Sequence, residues 1–537
     1  MLARLPWFQP RIVLRCADPA AVAATAIARV GGPPVLRLDV RVRTWERPAG
    51  WIGSPALPAV RSLRVTSRAG GGRVRIRLGR PMDPGLALAG VLRVLRPTLA
   101  PVIGPQLAFA PGVPPCAAAL AGELVDIADG RHDAHLRLHD IVVAGEGSPV
   151  LRESSSAVIT VRREDWPVDL RVHNPIGRDV QSLAPPSVRD IEPTPDGSWA
   201  LRGTPIRLGA SLTASDVRAL RGVTGVRIDR AWRADPRVGQ LHASGLHVVD
   251  ADARADVPDD AFTGHALQAQ ERRWAMRSGS ANGVLERWPS VTAVLLTHRA
   301  DFLDQIAGQL AALAYPRLEI LIGLHGMAES VHEQALSCLA AAGEQRARVI
   351  AVDAHLPFGS ALQFLSTHAG GELLTKIDDD DGYGPEHVWD LVLARLWSGA
   401  TIVGKALDWI HVRSADCTVY RPVYRAETYA TFVAGGALMI SAGDLRELGG
   451  WRPVPKSVDR ALLDQARSHG ALVYRTSGLG YLYVRHTGQH TAKVRDEHFL
   501  SRTAARWPGR LAHPALAAHG PMVVQPPMSG TDTSGQP

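Results

Sequence analysis

A run of four aspartates occupies positions 378–381, directly after the apolar, strand-like segment Leu373–Ile377. Side chains alternate between two faces of an extended chain, so Lys376, Asp378 and Asp380 share one face. Buried carboxylates are costly unless positive charge lies beside them. Paired carboxylates at the carboxyl end of a strand suit Mg²⁺ or Mn²⁺ carrying the phosphates of a substrate.

The alternative interpretation of this acidic run is a solvated turn. The apolar strand before it and the Gly384-Pro385 helix start after it make that the weaker interpretation. A calcium loop of the EF-hand type is excluded. If Gly382 took the sixth position, Ile377 and Val388 would stand at the first and last ligand positions, and neither can bind a cation.

Composition and charge exclude several classes of protein. A chain of 537 residues is too long for one core and predicts two or three domains. The net charge is +8, but no dense basic block marks a nucleic-acid site, so no nucleic-acid partner is expected. The four cysteines lack CxxC spacing, which argues against structural zinc or disulfides and indicates a reducing compartment. Without a recognisable signal peptide or membrane span, we expect a cytoplasmic protein, with peripheral contact at the inner membrane face left open.

Residues 1–183 predict a β-rich or α+β N-terminal domain of unknown role. Apolar and polar residues alternate over 36–43, and the segments 61–68 and 73–78 flank a glycine turn, as in a hairpin. Three further strands are predicted over 135–143, 157–162 and 168–173. The side chains of Arg73, Arg75 and Arg77 share one strand face, which is either solvated or in contact with an anionic glycan or lipid.

Residues 184–284 predict a small α/β segment. It holds a short helix capped at Thr213, strands at 225–228 and 246–249, and a polar helix over 261–277. The polar stretch 278–283 is predicted to be a linker, and the tail at 506–537 is predicted to be disordered.

Between residues 285 and 505, strands alternate with helices. Apolar strands are predicted at 291–296, 318–324, 349–352 and 373–377, separated by helical segments. This alternation predicts an α/β fold with a doubly wound, mostly parallel sheet.

Over roughly 289–502 the chain resembles the family 2 glycosyltransferases with the GT-A fold. Five segments carry the resemblance, in the order in which that family has them. They are Val291–Arg299, Lys376–Asp381, Val433–Ile440 with Leu448–Trp451, Lys456–Leu463, and Tyr483–Thr491. The resemblance implies metal-dependent, inverting transfer of a sugar from a nucleotide-diphosphate sugar to an acceptor hydroxyl in glycan or cell-envelope polysaccharide synthesis. The acceptor would be a glycan, a lipid-linked molecule or a small molecule.

The resemblance also assigns roles to individual residues. Asp380 becomes the direct ligand of Mn²⁺ or Mg²⁺, Asp378 a further metal or ribose contact, and His490 a metal or phosphate contact. Asp459, in the first turn of a helix that Ser457 can cap, becomes the general base. The remaining roles are donor binding for Thr297, Arg299, Lys376, Asp378 and Asp379, and the acceptor side for Gly435, Gly436 and Trp451. Lys376 has a second interpretation, in which it only pairs with the aspartates.

Two alternative functions have to be considered, one because the chain departs from the family pattern and one because another enzyme class has a similar sheet. The family often has an aspartate after its second strand to hold the base, whereas this chain has Leu324-His325-Gly326. A non-catalytic glycan- or nucleotide-binding scaffold with a degenerate transferase domain is therefore the alternative function. A sugar nucleotidylyltransferase would need a glycine-rich phosphate loop after the first strand, and Thr297-His298-Arg299 provides none.

Overall fold

The fold is that of a computed structural model covering the whole chain. It describes residues 11–29, 32–45, 47, 49–51, 60–68, 70–95, 107–109, 141–143, 168, 172–178, 188–252, 261–278, 288–468, 471–486, 494–513 and 515–516. The predicted strand at 157–162 and the linker after 278 lie outside these residues. Of the tail predicted to be disordered at 506–537, the part up to 516 is largely described and begins within the strand Ala505–Pro508, and the rest lies outside.

A four-stranded sheet, here called the first sheet, opens the described chain, with strand order β1-β2-β4-β3. Its elements are β1 Arg11–Cys16, α1 Pro19–Ala28, β2 Val35–Val42, β3 Val60–Arg68, β4 Gly71–Met82 and α2 Pro84–Leu95. The predicted β2 strand and the β3–β4 hairpin are both present. The two helices pack on one face of the sheet, so this region is α+β. A separate short pair follows, β5 Leu107–Phe109 with β6 Ile141–Val143.

The two faces of the first sheet differ in chemistry. Leu38, Val40, Val74 and Ile76 point inward and are buried, because the helices cover them. On the outer face, side chains form three rows across the sheet, and each row holds one residue from each of the four strands, paired in register. We call this outer surface the arginine face; its arginines are Arg11, Arg15, Arg37, Arg41, Arg64, Arg73, Arg75 and Arg77.

The middle of the chain forms a five-stranded sheet, in the order β11-β10-β7-β8-β9. Its elements are β7 Val188–Pro193, β8 Trp199–Leu201, β9 Arg207–Leu208, α3 Ala214–Ala219, β10 Gly225–Ile228, α4 Pro236–Ala243 and β11 His247–Asp250. Thr213 caps α3 as predicted, in a reciprocal box with Asp216. The strand predicted at 168–173 is wrong at its described residues. The chain turns there, with the Asn174 side chain accepting a hydrogen bond from the Ile176 N–H group.

An eight-stranded sheet, here called the central sheet, occupies the last part of the chain. Its order is β14-β13-β12-β15-β21-β17-β22-β20. Its strands are β12 Val291–Thr297, β13 Leu318–His325, β14 Ala347–Val352, β15 Leu373–Ile377, β17 Ile402–Lys405, β20 Thr428–Tyr429, β21 Leu438–Ser441 and β22 Val473–Thr476. The first four are mutually parallel, as predicted, whereas β21 runs antiparallel to β15 and β17. The sheet is therefore mixed.

Helices and a second sheet flank the central sheet. The helices are α5 Ala261–Ser278, α6 Leu303–Ala311, α7 Glu329–Ala341, α8 Phe358–Ser366, α9 His387–Ser398, α10 Ala442–Glu447, α11 Val458–Ser468 and α12 Asp496–Leu500. The second sheet, here called the side sheet, has the order β16-β23-β18-β19-β24. Its strands are β16 Gly382–Tyr383, β18 Trp409–Val412, β19 Cys417–Tyr420, β23 Tyr481–Arg485 and β24 Ala505–Pro508.

The predicted polar helix α5 connects the middle sheet to the central one. Glu271 accepts hydrogen bonds from His242 and His247 of the middle part, at 3.3 and 2.7 Å. Its neighbour Arg273 donates to Asp390 of α9 at 2.6 and 2.9 Å. The helix therefore belongs to both parts, although sequence analysis assigned it to the middle segment alone. None of the helices in the described part of the chain is long and apolar enough to cross a membrane.

Candidate active site

Polar side chains gather where two parallel strands of the central sheet end side by side. β12 ends at Thr297, next to β15, which leads into the four aspartates. Thr297 Oγ1 donates a hydrogen bond to Asp379 Oδ2 at 2.6 Å, and Arg299 Nη1 donates to Asp380 Oδ2 at 2.9 Å. Arg299 Nη1 also lies 3.4 Å from Asp379 Oδ1. The structure thus brings together Thr297, Arg299, Asp379 and Asp380, all named from sequence.

Lys376 and Asp378 form an ion pair at the same edge. The lysine side chain is 7% exposed, and its ammonium group donates to Asp378 Oδ1. Burial opposes the ammonium charge, but the nearby carboxylates of Asp378 and Asp459 outweigh it and raise the pKa of Lys376. Of the two interpretations of Lys376, pairing with an aspartate is the one that the geometry shows.

The cluster holds more negative charge than its own cations balance. Burial raises the pKa of Asp378, and the charges of Asp380 and Asp459 raise it further, against the lowering effect of Lys376. Burial also raises the pKa of Asp379, although Thr297 and Arg299 work in the other direction. A site that penalises its own carboxylates in this way favours the binding of an additional cation.

Asp381 has a different place from its three neighbours. Tyr481 Oη donates to its carboxylate at 2.6 Å, and the backbone N–H of Val484 donates at 2.9 Å. Both partners lie on β23, so Asp381 ties the central sheet to the side sheet. Tyr383 Oη strengthens the junction by accepting from the Asp378 N–H and donating to the Gly436 carbonyl, at 2.7 and 2.8 Å.

The two predicted acceptor-side glycines make room for carboxylates. A Cβ atom added to Gly435 would lie 2.2 Å from Asp459 Oδ2. One added to Gly436 would lie 2.6 Å from Asp378 Oδ2 and 2.9 Å from Asp381 Oδ2. Both glycines belong to the 3₁₀ turn Gly435–Ala437, which precedes β21. The absence of side chains there therefore sets how closely Asp459 approaches the aspartate cluster.

Asp459 stands in the first turn of α11, as predicted, where the helix dipole favours a carboxylate. The residue before that helix, Ser457, has a φ of 58°, and its carbonyl accepts a hydrogen bond from the Ala461 N–H at 3.0 Å. A side-chain cap normally requires extended backbone, so the predicted Ser457 cap is not the conformation seen. A non-glycine residue in this left-handed region costs about 1–3 kcal/mol, and such strain tends to occur beside functional groups.

Further basic side chains lie near Asp380 and Asp381: Arg413 and Arg510, which sequence reasoning did not identify, and His486, which lies in the segment Tyr483–Thr491. His486 Nε2 lies 3.4 Å from the Asp380 carbonyl oxygen and 3.8 Å from Asp380 Oδ2. Arg413 follows β18, which pairs with β23 up to its last residue. Arg510 follows β24, where the Gly509 N–H donates to the Asp416 carbonyl at 2.8 Å.

Neither Arg413 nor Arg510 forms an ion pair with a carboxylate in the described part of the chain. Burial and the charge of Arg413 lower the pKa of Arg510, while Asp381 acts in the opposite direction. No spacing in the sequence marks these arginines, because only the pairing of β18 with β23 and of β19 with β24 brings them together. They add positive charge to the site, and the charge of Asp381 acts on Arg510.

One predicted site residue, Trp451, is not part of this cluster. Trp451 is buried in the core, with its indole N–H donating to Ser366 Oγ at 3.0 Å and its backbone N–H bonded to Gln363. His490 lies outside the described residues. His325, at the position where the family often has an aspartate, has its ring Nε2 3.0 Å from the Leu356 carbonyl.

The donor set of the cluster fits a hard divalent cation. Among the residues that the structure describes, no group of three His, Cys, Asp or Glu side chains is arranged to hold a metal ion by itself. The Asp378 and Asp380 side chains are 30% and 19% exposed and present carboxylate oxygens. Mg²⁺ is usually bound by one or two carboxylates together with substrate phosphates, so this pair is sufficient.

Comparison with known proteins gives similarity of structure only. No family of known proteins and no curated protein matches the chain. S. aureus TarS (residues 1–349), solved with UDP-GlcNAc, is 12% identical at a TM-score of 0.29, over 39% of this chain and 63% of that one. The mannosyltransferase PcManGT from Pyrobaculum calidifontis, solved with GDP-Man and Mn²⁺, is 13% identical at a TM-score of 0.30, over 38% and 59%.

A third solved structure has different bound groups. GalNAc-T7 with UDP, GalNAc and Mn²⁺ is 11% identical at a TM-score of 0.32, over 39% of this chain and 46% of that one. The aligned part spans less than two thirds of each of these three proteins. All three structures hold UDP or a nucleotide sugar, and the similarity is confined to about two fifths of the present chain.

Proposed function

We propose that the last part of this chain is a GT-A glycosyltransferase that moves a sugar from a nucleotide-diphosphate donor to an acceptor hydroxyl, with inversion. The observation that carries the proposal is the arrangement around the aspartates. Asp378 and Asp380 offer oxygen ligands, His486 lies 3.8 Å from Asp380 Oδ2, and Asp459 lies against Gly435, the neighbour of the glycine that faces Asp378.

Each group has a chemical task in this reaction. The acceptor oxygen attacks the anomeric carbon of the donor sugar, and the bond from that carbon to the diphosphate oxygen breaks. The nucleoside diphosphate leaves with the bonding electrons, while Asp459 takes the proton of the acceptor hydroxyl. One displacement at one carbon inverts its configuration. The products are the glycosylated acceptor and the nucleoside diphosphate.

Charge on the departing diphosphate is the main obstacle to this reaction. Mn²⁺ or Mg²⁺, bound by Asp380 and assisted by Asp378, would neutralise part of that charge. In this proposal, His486, Arg413 and Arg510 contact the phosphates from the side sheet. Thr297 and Arg299 fix Asp379 and Asp380, so their effect on donor binding is exerted through the position of the aspartates.

Calorimetric titration with UDP and GDP, with and without Mn²⁺, tests the proposal. We expect one of the nucleotides to bind, and EDTA to weaken that binding. Asp380→Asn should weaken metal-dependent binding by about 10²-fold or more, since such a contact contributes several kcal/mol. Asp464→Asn is the matched control, because Asp464 lies exposed on α11 and pairs with the surface residues Arg460 and Arg467.

The possible results separate the two functions that remain. Binding that is equally tight in EDTA, or equal in the two variants, would refute the metal role of Asp380. Metal-dependent binding without hydrolysis or transfer of any nucleotide sugar would instead indicate the alternative, a non-catalytic nucleotide-binding scaffold.

A further inference from the structure

The arginine face of the first sheet is rich in arginines that have no role in the proposed transfer reaction. Its three rows of register partners give twelve positions, of which eight are arginine. The other four are Val13, Asp39, Ser62 and Thr66. The face alone carries seven net positive charges, whereas the net charge of the whole chain is +8. The positive charge is therefore concentrated on one surface.

Internal ion pairs account for little of this charge. Asp39 is 4% exposed and accepts hydrogen bonds from Arg73 at 2.7 and 2.5 Å and from Arg11 at 3.2 Å. Within the described residues, Arg37, Arg41, Arg64 and Arg77 have no carboxylate partner, and all four are exposed. A folded domain gains nothing from gathering like charges, which repel one another, so the array points to an anionic partner.

The shape of the face narrows the choice of partner. Rows two residues apart along a strand are separated by about 7 Å, and neighbouring strands by about 5 Å, so the array covers roughly 14 Å in each direction. It is a two-dimensional field, whereas a single linear polyanion would need a stripe or a groove. The face has no aromatic side chain on which nucleic-acid bases could stack. A planar partner with many anionic groups meets these conditions best.

We propose that the arginine face binds the anionic surface of a phospholipid bilayer. Guanidinium groups match phosphate geometry and bind it in a bidentate manner. Val13, 54% exposed at the β1 edge, is the one apolar side chain of the face, so binding is electrostatic and the chain does not insert deeply.

The first sheet is joined to the central sheet, so the attachment would extend to the rest of the protein. Trp51 packs edge-on against Tyr429 of β20 with ring centroids 4.8 Å apart. The Tyr429 N–H donates to the Ala49 carbonyl at 3.0 Å. This proposal is independent of the transfer reaction, because none of these residues belongs to the candidate active site.

Vesicle sedimentation with the full chain tests the proposal. We expect binding to vesicles of phosphatidylcholine with about one third phosphatidylglycerol, no binding to pure phosphatidylcholine, and loss of binding at high salt. The test variant changes Arg37, Arg41, Arg64 and Arg77 to Gln. Each basic residue near an anionic bilayer contributes about fivefold, so the partition coefficient should fall by on the order of 10²–10³-fold.

A second variant controls for net charge. Changing the exposed residues Arg189, Arg207, Arg230 and Arg446 to Gln lowers the net charge from +8 to +4, as the test variant does. It should bind the vesicles nearly as well as the unaltered chain, and both variants should keep the original Tm. Equal losses in the two variants, or no binding at 0.15 M salt, would overturn the proposal. So would capture of double-stranded DNA or polyphosphate through this face in the absence of vesicle binding.

Discussion

Replacing Gly435 with alanine tests whether Asp459 must occupy its present position. The new Cβ atom would lie 2.2 Å from Asp459 Oδ2 and 2.5 Å from its Cγ, whereas ordinary contacts begin near 3.4 Å. The Asp459 carboxylate must therefore move by about 1 Å. A displacement of that size at a reacting group can cost on the order of 10²-fold in rate. We expect kcat to fall by about this factor, because the base would no longer reach the acceptor hydroxyl.

The assay separates a misplaced base from a damaged donor site. Steady-state kinetics of glycosyl transfer should show the loss in kcat, while calorimetry should show nearly unchanged affinity for the nucleotide diphosphate. Gly222→Ala provides the control, because a Cβ atom at Gly222 meets nothing within 4 Å. A Gly435→Ala variant with unaltered kcat would show that Asp459 is not the base. A variant that loses nucleotide affinity instead would show that the glycine serves the donor.

Two further predictions concern individual carboxyl groups. Asp459→Asn should keep donor affinity and lower kcat by about 10²–10⁴-fold, and the parent enzyme should give a product of inverted anomeric configuration, checked by NMR. A retained configuration would refute the single displacement. Burial raises the pKa of Asp408 to about 8, and its Oδ1 atom has no hydrogen-bond partner in the described structure. Because the folded state binds the Asp408 proton more tightly than the unfolded state does, this proton contributes to the free energy of unfolding. The contribution is complete below about pH 4 and is lost as the pH rises towards 8. Asp408→Asn should therefore raise Tm at pH 8 by several degrees and change it little near pH 4; an equal change at both pH values would contradict this.

The strands β12, β13 and β15 of the central sheet were predictable because they are buried on both faces, whereas β14 is a partly exposed edge strand. Leu373–Ile377 was predicted with the bounds that the structure has, and β12, β13 and β14 within two residues. The antiparallel direction of β21 was not predicted, because the residues of a short buried strand such as Leu438–Ser441 do not indicate whether it runs parallel or antiparallel to its neighbours. The helices α1 and α2 were missed for another reason. Their alanine- and leucine-rich sequences carry no clear polar face in a region dominated by strands.

For the site, sequence identified the residues that belong to continuous motifs. Thr297, Arg299, the aspartates and Asp459 all follow strands or begin helices, so their positions could be inferred from the elements that carry them. Arg413 and Arg510 are nearly a hundred residues apart and are joined only by strand pairing. Trp451 shows the opposite failure. The family resemblance assigned it to the acceptor side of the site, whereas its indole ring is buried in the core.

The α5 helix has a consequence for how the protein loses its structure. Three consecutive residues form contacts with different partners: Glu271 with two histidines of the middle part, Arg272 with Glu427 at 3.6 Å, and Arg273 with Asp390. Separating either part from the helix would leave a buried charge unpaired, at a cost of about 3–5 kcal/mol. Unfolding of the middle part or of the central-sheet part alone is therefore unfavourable while the other part stays folded. A calorimetric scan should show a single cooperative unfolding transition for the middle part and the central-sheet part together, although their sheets have separate cores.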